Sequence, residues 1–172
     1  TGANIPFVIR LRVVLLRDTG APLAPFNAWQ IIQGLETVGL RMKQHCSNAE
    51  KVVTFLETKK KVQNVIYPTN HQGEIKERAK KYMQGGYGSL VGMDVGTKEA
   101  GAKFIDNLKM LYHVANIGDA RSLAIHPATT THSQLDDAAL AAAGVTPGYV
   151  RLSIGIEHPD DIIADIKQAL AA

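Results

Sequence analysis

The sequence has little of several features that would point to a specialised class of protein. Its 172 residues include a single cysteine, Cys46, and only 6% are aromatic. One cysteine excludes an internal disulfide and a multi-cysteine zinc site, so we expect a reducing compartment and a cytoplasmic protein. No apolar run approaches the roughly 18 to 20 residues that a membrane-spanning helix needs, so no membrane partner is expected.

Charge of one sign is also scarce. Nineteen Lys and Arg residues against sixteen Asp and Glu residues give a formal net charge of +3. This bias is too small to indicate a nucleic-acid partner. The excess is concentrated at residues 59–61 and 76–81, and such runs are typical of solvated faces.

The strongest helical pattern runs from Phe26 to about Thr58. A helix of about thirty residues would be roughly 45 to 50 Å long, whereas a domain of this size has a diameter of about 40 Å. The helix therefore bends at Gly34 or Gly39, or one of its ends packs on something outside this chain, and we favour the second. Its apolar positions are Trp29, Ile32, Leu35, Val38, Met42, Cys46, Ala49, Val53 and Leu56.

The rest of the chain mixes short strands and helices without regular β-α-β order. Strands are predicted at residues 62–67, 89–95 and 149–156, with two short strand-like pieces within 112–133. Helices are predicted from Thr97 to about Met110, from about Leu135 to Gly144, and from Pro159 onward. Residues 4–7 are predicted as an extended lead-in, 10–18 are ambiguous between helix and strand, and 69–86 are predicted as a polar surface excursion. The class is α+β, with a mostly antiparallel sheet of short strands covered by helices and a long N-terminal helix.

Arg151 is the main candidate for binding chemistry. It lies in the middle of the strand at 149–156, on the face opposite Val150 and Leu152. An unpaired buried cation costs several kcal/mol, so a guanidinium there needs a partner. It either forms a structural salt bridge or lies in water on an edge strand, or it binds a ligand carboxylate through its planar fork. The residues alone leave these alternatives open.

The other candidate groups favour structural roles. The spacing of His126 and His132 matches no metal-ligand signature, so no metal site is expected. Cys46 falls on the apolar stripe of the long helix and is expected to be buried. The serines lack a nucleophile-elbow context, and residues 85–88 neither follow a strand nor open a helix, so they offer no phosphate cradle.

Two long blocks of sequence resemble a known enzyme family. The first contains Pro25-Phe26-Asn27-Ala28 and Gln33-Gly34-Leu35-Glu36-Thr37. The second covers residues 116–134 and continues at residues 144–147 and 150–157. From about residue 4 to the C-terminus, the chain resembles the O-acetylhomoserine sulfhydrylase branch of the Cys/Met-metabolism pyridoxal-phosphate (PLP) enzymes. Cystathionine lyases and synthases of that family commonly carry Ser at the position of Asn116, which favours the sulfhydrylase branch.

The resemblance implies a fold, a reaction and site residues. Residues 1–24 would connect from a missing large PLP-binding domain, and 25–172 would form the small C-terminal α+β domain of a fold-type I enzyme. The intact enzyme, expected to be a homotetramer, would join O-acetylhomoserine to sulfide, giving homocysteine and acetate in methionine biosynthesis. In that family the arginine that matches Arg151 binds the substrate α-carboxylate, Asn116 lies beside cofactor and substrate, and Thr131 supports that wall.

The chain also departs from the family pattern. The lysine that anchors pyridoxal 5'-phosphate, the phosphate-binding turn and the aspartate on the pyridinium nitrogen are missing, and Lys59 and Lys98 lack the flanking motif. The chain opens with Thr1 rather than Met, which is typical of a processed, trimmed or partial product. We therefore expect no catalytic or cofactor-binding residue here, and no activity from the chain alone. The alternatives are a stand-alone α+β module for amino-acid binding or assembly, or a cystathionine lyase, a cystathionine synthase or a methionine γ-lyase of the same family.

Overall fold

The N-terminal part of the chain is helical. The computed structural model describes residues 6–172, apart from the side chain of Asp137. Helix α1 (Pro6–Arg10), a π-helical segment (Leu11–Leu16) and helix α2 (Arg17–Thr19) follow one another, and helix α3 spans Pro25–Glu36. The predicted extended lead-in is wrong at Pro6 and Phe7, because a proline suits the first turn of a helix, where its missing N–H needs no partner. The part of that prediction on Asn4 and Ile5 lies outside the described residues.

The chain divides into two compact units, Thr1–Gly39 and Leu40–Ala172. None of the described residues 6–39 is buried, so the first unit has no core of its own. Helix α3 carries no charged residue before Glu36 and is apolar on most of its circumference. Helices of this kind are normally covered by protein, but none of the residues of α3 is buried here. The prediction that residues 1–24 connect to another domain stays a prediction.

The single long helix predicted from Phe26 to Thr58 is in fact two helices. Helix α4 spans Val38–Glu57, and Thr37, with φ −109° and ψ 3°, separates it from α3. Thr37 is β-branched, and a glycine lies three residues before it (Gly34) and another two residues after it (Gly39). All three residues have low helix propensity, so the helix is weak at this point. The predicted packing of one helix end on something outside the chain stays a prediction.

The predicted apolar stripe is buried only in its second half. Cys46, Ala49, Val53 and Leu56 are buried in α4, as predicted. The remaining stripe positions are exposed, and these are Trp29, Ile32, Leu35, Val38 and Met42. The period identifies the face that is apolar, but it does not say what covers that face.

Five short strands form one sheet in the second unit. They are β1 (Asn64–Ile66), β2 (Leu90–Asp94), β3 (Tyr112–His113), β4 (Leu123–Ile125) and β5 (Tyr149–Ser153). Their order is β1-β2-β5-β4-β3, and every neighbouring pair is antiparallel except β3 and β4, which are parallel. The α+β class and the mostly antiparallel sheet are confirmed, with the addition that the sheet is mixed.

Four further helices accompany the sheet. They are α5 (Gly73–Tyr82), α6 (Lys98–Asp106), α7 (Asp137–Ala142) and α8 (Pro159–Ala171). Helix α5 lies in the predicted surface excursion and was missed, because Ala79 is its only buried residue and its charge pairs, such as Glu74–Arg78, stabilise it from the solvent side. Helix α6 has the predicted cap, in which the Thr97 hydroxyl accepts a hydrogen bond from the Ala100 N–H (3.1 Å). No helix within residues 6–172 combines the length and apolar character needed to cross a membrane.

The core combines residues of the sheet with residues of α4, α6 and α8. Val150 and Leu152 of β5 are fully buried, together with Leu56 of α4 and Ile162 and Ile166 of α8. Tyr149, Arg151 and Ser153 alternate with these β5 residues, so they belong to the opposite face of the sheet.

A buried carboxylate ties α8 to the chain that follows α6. Asp165 accepts hydrogen bonds from the backbone N–H groups of Lys109 (2.9 Å), Met110 (2.8 Å) and Leu111 (2.9 Å) and from the Gln168 side chain (3.0 Å). Burial alone would raise the pKa of Asp165, but these donors together lower it below its usual value. The ionised carboxylate thus holds a segment that has no helix or strand of its own.

We expect Asp165→Asn to lower the free energy of unfolding by about 1–3 kcal/mol at neutral pH, because an amide cannot accept all four hydrogen bonds. The folded-state pKa lies below the unfolded value of about 3.9. The contribution of Asp165 is therefore fully present above that pH and is lost as pH falls through the folded-state pKa. Urea unfolding of both proteins from about pH 2 to 7 measures this difference.

The control is Asp106→Asn, since Asp106 is exposed at the end of α6. Its effect should stay within about 0.5 kcal/mol at every pH. If the difference in free energy of unfolding between wild type and Asp165→Asn did not become smaller in acid, the prediction would be contradicted.

Candidate functional site

Arg151 lies in the middle of the sheet. Strand β5 is the third of five strands, and Arg151 pairs in register with Gly92 of β2 and Ile125 of β4. The residue is half-buried, on the face opposite the core. The interpretation of Arg151 as an edge-strand arginine is therefore wrong, because both edges of β5 are paired.

The guanidinium of Arg151 has a single polar partner among the described residues. Its Nη2 donates a hydrogen bond to the backbone carbonyl of Asn116, at 3.3 Å. Within that part of the chain no carboxylate lies within salt-bridge distance of Arg151. A guanidinium has five N–H donors, so one carbonyl leaves most of them for an anionic ligand.

Asn116 meets Arg151 through its backbone rather than its side chain. The residue is exposed, and its Oδ1 accepts a hydrogen bond from the Ile117 N–H at 2.9 Å. The side chain of Asn116 is thus engaged with the next residue of the loop, and its carbonyl contacts Arg151 of β5. The structure thus brings together two of the three predicted site residues.

Thr131 does not join this pair. It is exposed, in the turn that follows a short 3-10 helix at Pro127–Thr129. Its hydroxyl lies 2.8 Å from Nδ1 of His132. It shares no hydrogen bond with Arg151 or Asn116 in the described structure, so its assignment to the wall of the site stays a prediction.

A cavity of about 210 Å³ adjoins Arg151. Its walls include Ile66, Pro68, His71, Gly92 and Tyr149. Apolar walls around one cation suit a small carboxylate with a short apolar body. Sequence reasoning missed Tyr149, although it lies two residues before Arg151 and therefore on the same face. It also missed His71, and no signal short of the fold would have found it.

Tyr149 is neutral beside the guanidinium. Burial raises the pKa of the Tyr149 phenol, and the charge of Arg151 opposes part of that shift. A neutral phenol keeps its O–H, so the cavity offers a second hydrogen-bond donor near Arg151.

Gly92 makes room for the ring of Tyr149. A Cβ at Gly92 would lie 2.7 Å from Cε2 of Tyr149 and 3.1 Å from Cβ of Ile66. The ring therefore lies directly on the backbone of β2. Glycine within a strand commonly marks such a close approach.

Two residues that the sequence placed in structural roles have them. His126 is fully buried, with Nε2 at 2.7 Å from the carbonyl of Pro147 and Nδ1 at 2.9 Å from the Thr129 hydroxyl. Cys46 is buried, as predicted. In the part of the chain that the structure describes, no cluster of His, Cys, Asp and Glu could hold a metal ion.

The whole chain is similar to proteins of one family. The family model described as Cys/Met metabolism PLP-dependent enzyme matches residues 6–171. A Leptospira meyeri protein named O-acetyl-L-homoserine sulfhydrylase is 50% identical over 98% of this chain and 39% of its own length. A Corynebacterium glutamicum protein of the same name is 47% identical over 96% of this chain and 38% of its own length.

Solved structures show the same relationship. A Campylobacter jejuni protein assigned as an O-acetylhomoserine (thiol)-lyase, carrying N'-pyridoxyl-lysine-5'-monophosphate, is 42% identical with a TM-score of 0.90. The match covers 100% of this chain and 41% of that protein. A Wolinella succinogenes O-acetylhomoserine sulfhydrylase is 30% identical with a TM-score of 0.80, over 96% of this chain and 44% of that protein. The chain thus spans less than half the length of each of these relatives.

Gly92→Ala tests the close approach of Tyr149. We expect the free energy of unfolding to fall by about 1–3 kcal/mol, because the new methyl overlaps the Tyr149 ring. Gly85→Ala is the control, since no atom lies within 4 Å of a Cβ there, and its effect should stay within about 0.5 kcal/mol. Urea unfolding gives both values, and the ring resonances of Tyr149 should shift only in Gly92→Ala. Equal effects of the two substitutions would contradict the prediction.

Proposed function

The chain belongs to the Cys/Met metabolism PLP-dependent enzyme family, and from this membership we propose that it is the substrate-binding C-terminal domain of an O-acetylhomoserine sulfhydrylase. The intact enzyme would convert O-acetylhomoserine and sulfide to homocysteine and acetate, a step in methionine biosynthesis. The observation that carries the proposal is Arg151, a half-buried cation without a carboxylate partner in the described residues, beside an apolar cavity.

In this proposal Arg151 binds the α-carboxylate of the amino-acid substrate. A planar guanidinium holds a carboxylate through two parallel hydrogen bonds, which set its orientation as well as its affinity. The Asn116 carbonyl accepts a hydrogen bond from one N–H of Arg151. Because the guanidinium is planar, this contact also sets the direction of its remaining N–H donors. The apolar walls limit water, which strengthens the charge interaction. Thr131 is proposed to support the wall of the site.

The described residues do not fit the lysine site that this family needs. No lysine within residues 6–172 is buried, and none lines the cavity beside Arg151. Lys59 lies 4.3 Å from the centre of the Phe55 ring, and Lys98 is exposed at the start of α6. We therefore assign pyridoxal 5'-phosphate, which supplies an electron sink when bound, to the part of the enzyme outside this chain. The role of this chain is to bind and orient the amino acid.

The first unit supports a role within a larger assembly. Large exposed apolar residues, among them Phe7, Phe26, Trp29 and Leu35, are concentrated between residues 6 and 39. Surfaces of this kind mark protein interfaces. We propose that residues 1–24 connect to the cofactor-binding domain and that the intact enzyme is a cytoplasmic homotetramer. Residues 25–172 would then be the small domain of a fold-type I enzyme.

Binding of O-acetyl-L-homoserine to the chain tests the role of Arg151. We expect Arg151→Ala to weaken binding by roughly ten- to hundredfold, because the lost hydrogen bonds to a charged group contribute a free energy of that size. Arg151→Lys should lie between, because it keeps the charge but loses the fork. Arg78→Ala is the control, since Arg78 is exposed and paired with Glu74. Titrations followed by NMR measure these affinities, and equal binding by wild type and Arg151→Ala would contradict the assignment.

Turnover tests the proposed reaction. The chain with pyridoxal 5'-phosphate, O-acetyl-L-homoserine and sulfide should form no homocysteine. A chimera in which this chain replaces the matching 39% of the Leptospira meyeri protein should form it, and Arg151→Ala in the chimera should lower kcat/KM by roughly ten- to hundredfold. Steady turnover by the chain alone would overturn the division of roles. A chimera that folds and binds the cofactor but makes no homocysteine would overturn the proposed reaction.

A further inference from the structure

A polar cluster formed by half-buried Glu157 and two buried residues lies outside the site described above. The carboxylate of Glu157 accepts hydrogen bonds from the backbone N–H of Ser122 (2.6 Å) and from its hydroxyl (2.9 Å). The same hydroxyl accepts a hydrogen bond from the N–H of Gly155 (2.8 Å). Ser122 is fully buried. We refer to Glu157, Ser122 and Gly155 as the clamp.

Helix α4 anchors the clamp. Nδ2 of Asn48, itself fully buried, donates to the carbonyls of Gly155 (3.0 Å) and Glu157 (2.8 Å). The Gln44 side chain donates to Oδ1 of Asn48 (2.8 Å), which sets the orientation of that amide. The turn at residues 155–157 is therefore tied to a helix that packs in the core.

Gly155 brings the turn against the loop at residues 114–122. A Cβ at Gly155 would lie 2.2 Å from Oε2 of Glu157 and 2.5 Å from the carbonyl of Ala120. The N–H of Ile156 donates to that carbonyl at 2.9 Å. Only glycine allows the two segments to approach so closely.

The loop held by the clamp is the one that carries Asn116. It leaves β3 at His113 and enters β4 at Leu123. The carbonyl of Asn116 contacts Arg151, and the N–H of Gly118 lies 3.4 Å from the Ser153 hydroxyl. Asn116 is exposed and belongs to no helix or strand. Its position against Arg151 therefore depends on the contacts that hold the loop, which are made at Gly118, Ala120 and Ser122.

We propose that Glu157 is a positioning residue for Arg151. Through Ser122 it holds the loop in the arrangement in which the Asn116 carbonyl orients the guanidinium. Hydrogen bonds to a carboxylate are roughly twice as strong as neutral ones, so the charge of Glu157 matters to this role. The inference rests on the proposed function in one respect, that Arg151 binds the carboxylate of the substrate.

The test compares two carboxylates with the same chemistry. Glu157→Gln and Asp165→Asn each remove a charge that accepts backbone N–H donors, at a half-buried and a buried residue respectively, but Asp165 shares no hydrogen bond with residues 114–122 in the described structure. The readouts are amide hydrogen exchange in residues 116–122, the Nε–H resonance of Arg151, and the affinity for O-acetyl-L-homoserine. The first two require no ligand.

Glu157→Gln should speed exchange in residues 116–122 and shift the Arg151 resonance. If the loop is then ordered about a tenth of the time, the affinity falls about tenfold, because the apparent Kd scales with the inverse of the competent fraction. Asp165→Asn should leave the Arg151 resonance and the affinity unchanged, and should speed exchange in residues 116–122 no more than its loss of global stability accounts for. Ser122→Ala, which keeps Glu157, should act in the same direction, and the double variant should add little to the larger single effect.

Wild-type exchange and an unshifted Arg151 resonance in both Glu157→Gln and Ser122→Ala would overturn the inference. So would an equal response to Asp165→Asn. The variants could change the exchange in residues 116–122 and the Arg151 resonance although the chain does not bind O-acetyl-L-homoserine. This result would support the positioning role and count against the proposed substrate, so the inference and the proposed function can fail separately.

Discussion

The alternation of side chains along β5 is the constraint on which the rest of the second unit depends. Because β5 lies between β2 and β4, its backbone is paired on both edges and its residues are divided between two faces. Val150 and Leu152 enter the core on one face, while Tyr149 and Arg151 line the cavity of the candidate site on the other. A one-residue shift in register would exchange the two sets, so the packing of the core also sets the position of Arg151.

Two carboxylates, of buried Asp165 and half-buried Glu157, hold the irregular segments beside this sheet. Asp165 organises residues 109–111, which precede β3, and Glu157 organises the loop that precedes β4. In each case backbone N–H groups that form no hydrogen bond within a strand or helix donate to a carboxylate instead. The difference lies in what the held segment touches. Only the loop that Glu157 holds reaches Arg151, so one carboxylate supports the fold and the other also supports the site.

The first unit shows how far a hydrophobic pattern can be interpreted. The apolar positions of α3 were found from their spacing, but they are exposed, and the break at Thr37 separates them from the buried half of the stripe in α4. The same helical spacing of apolar residues is found on a face that packs within its own chain and on a face that is left exposed by that chain. Helix α5 is the opposite case, a helix with one buried residue whose charge pairs leave almost no apolar period to detect.

The sequence by itself determined the class of fold, the strands around residues 90–94 and 149–153, the Thr97 cap and, through its long motifs, the family. These features are carried by neighbours in the chain, whose spacing reflects local geometry. Only the tertiary structure decided that Arg151 lies in a central strand without a carboxylate partner in the described residues, that Tyr149 packs on Gly92, and that Glu157 meets Ser122. Each of these contacts joins residues far apart in the chain, and no local pattern records which distant segment will cover a given residue.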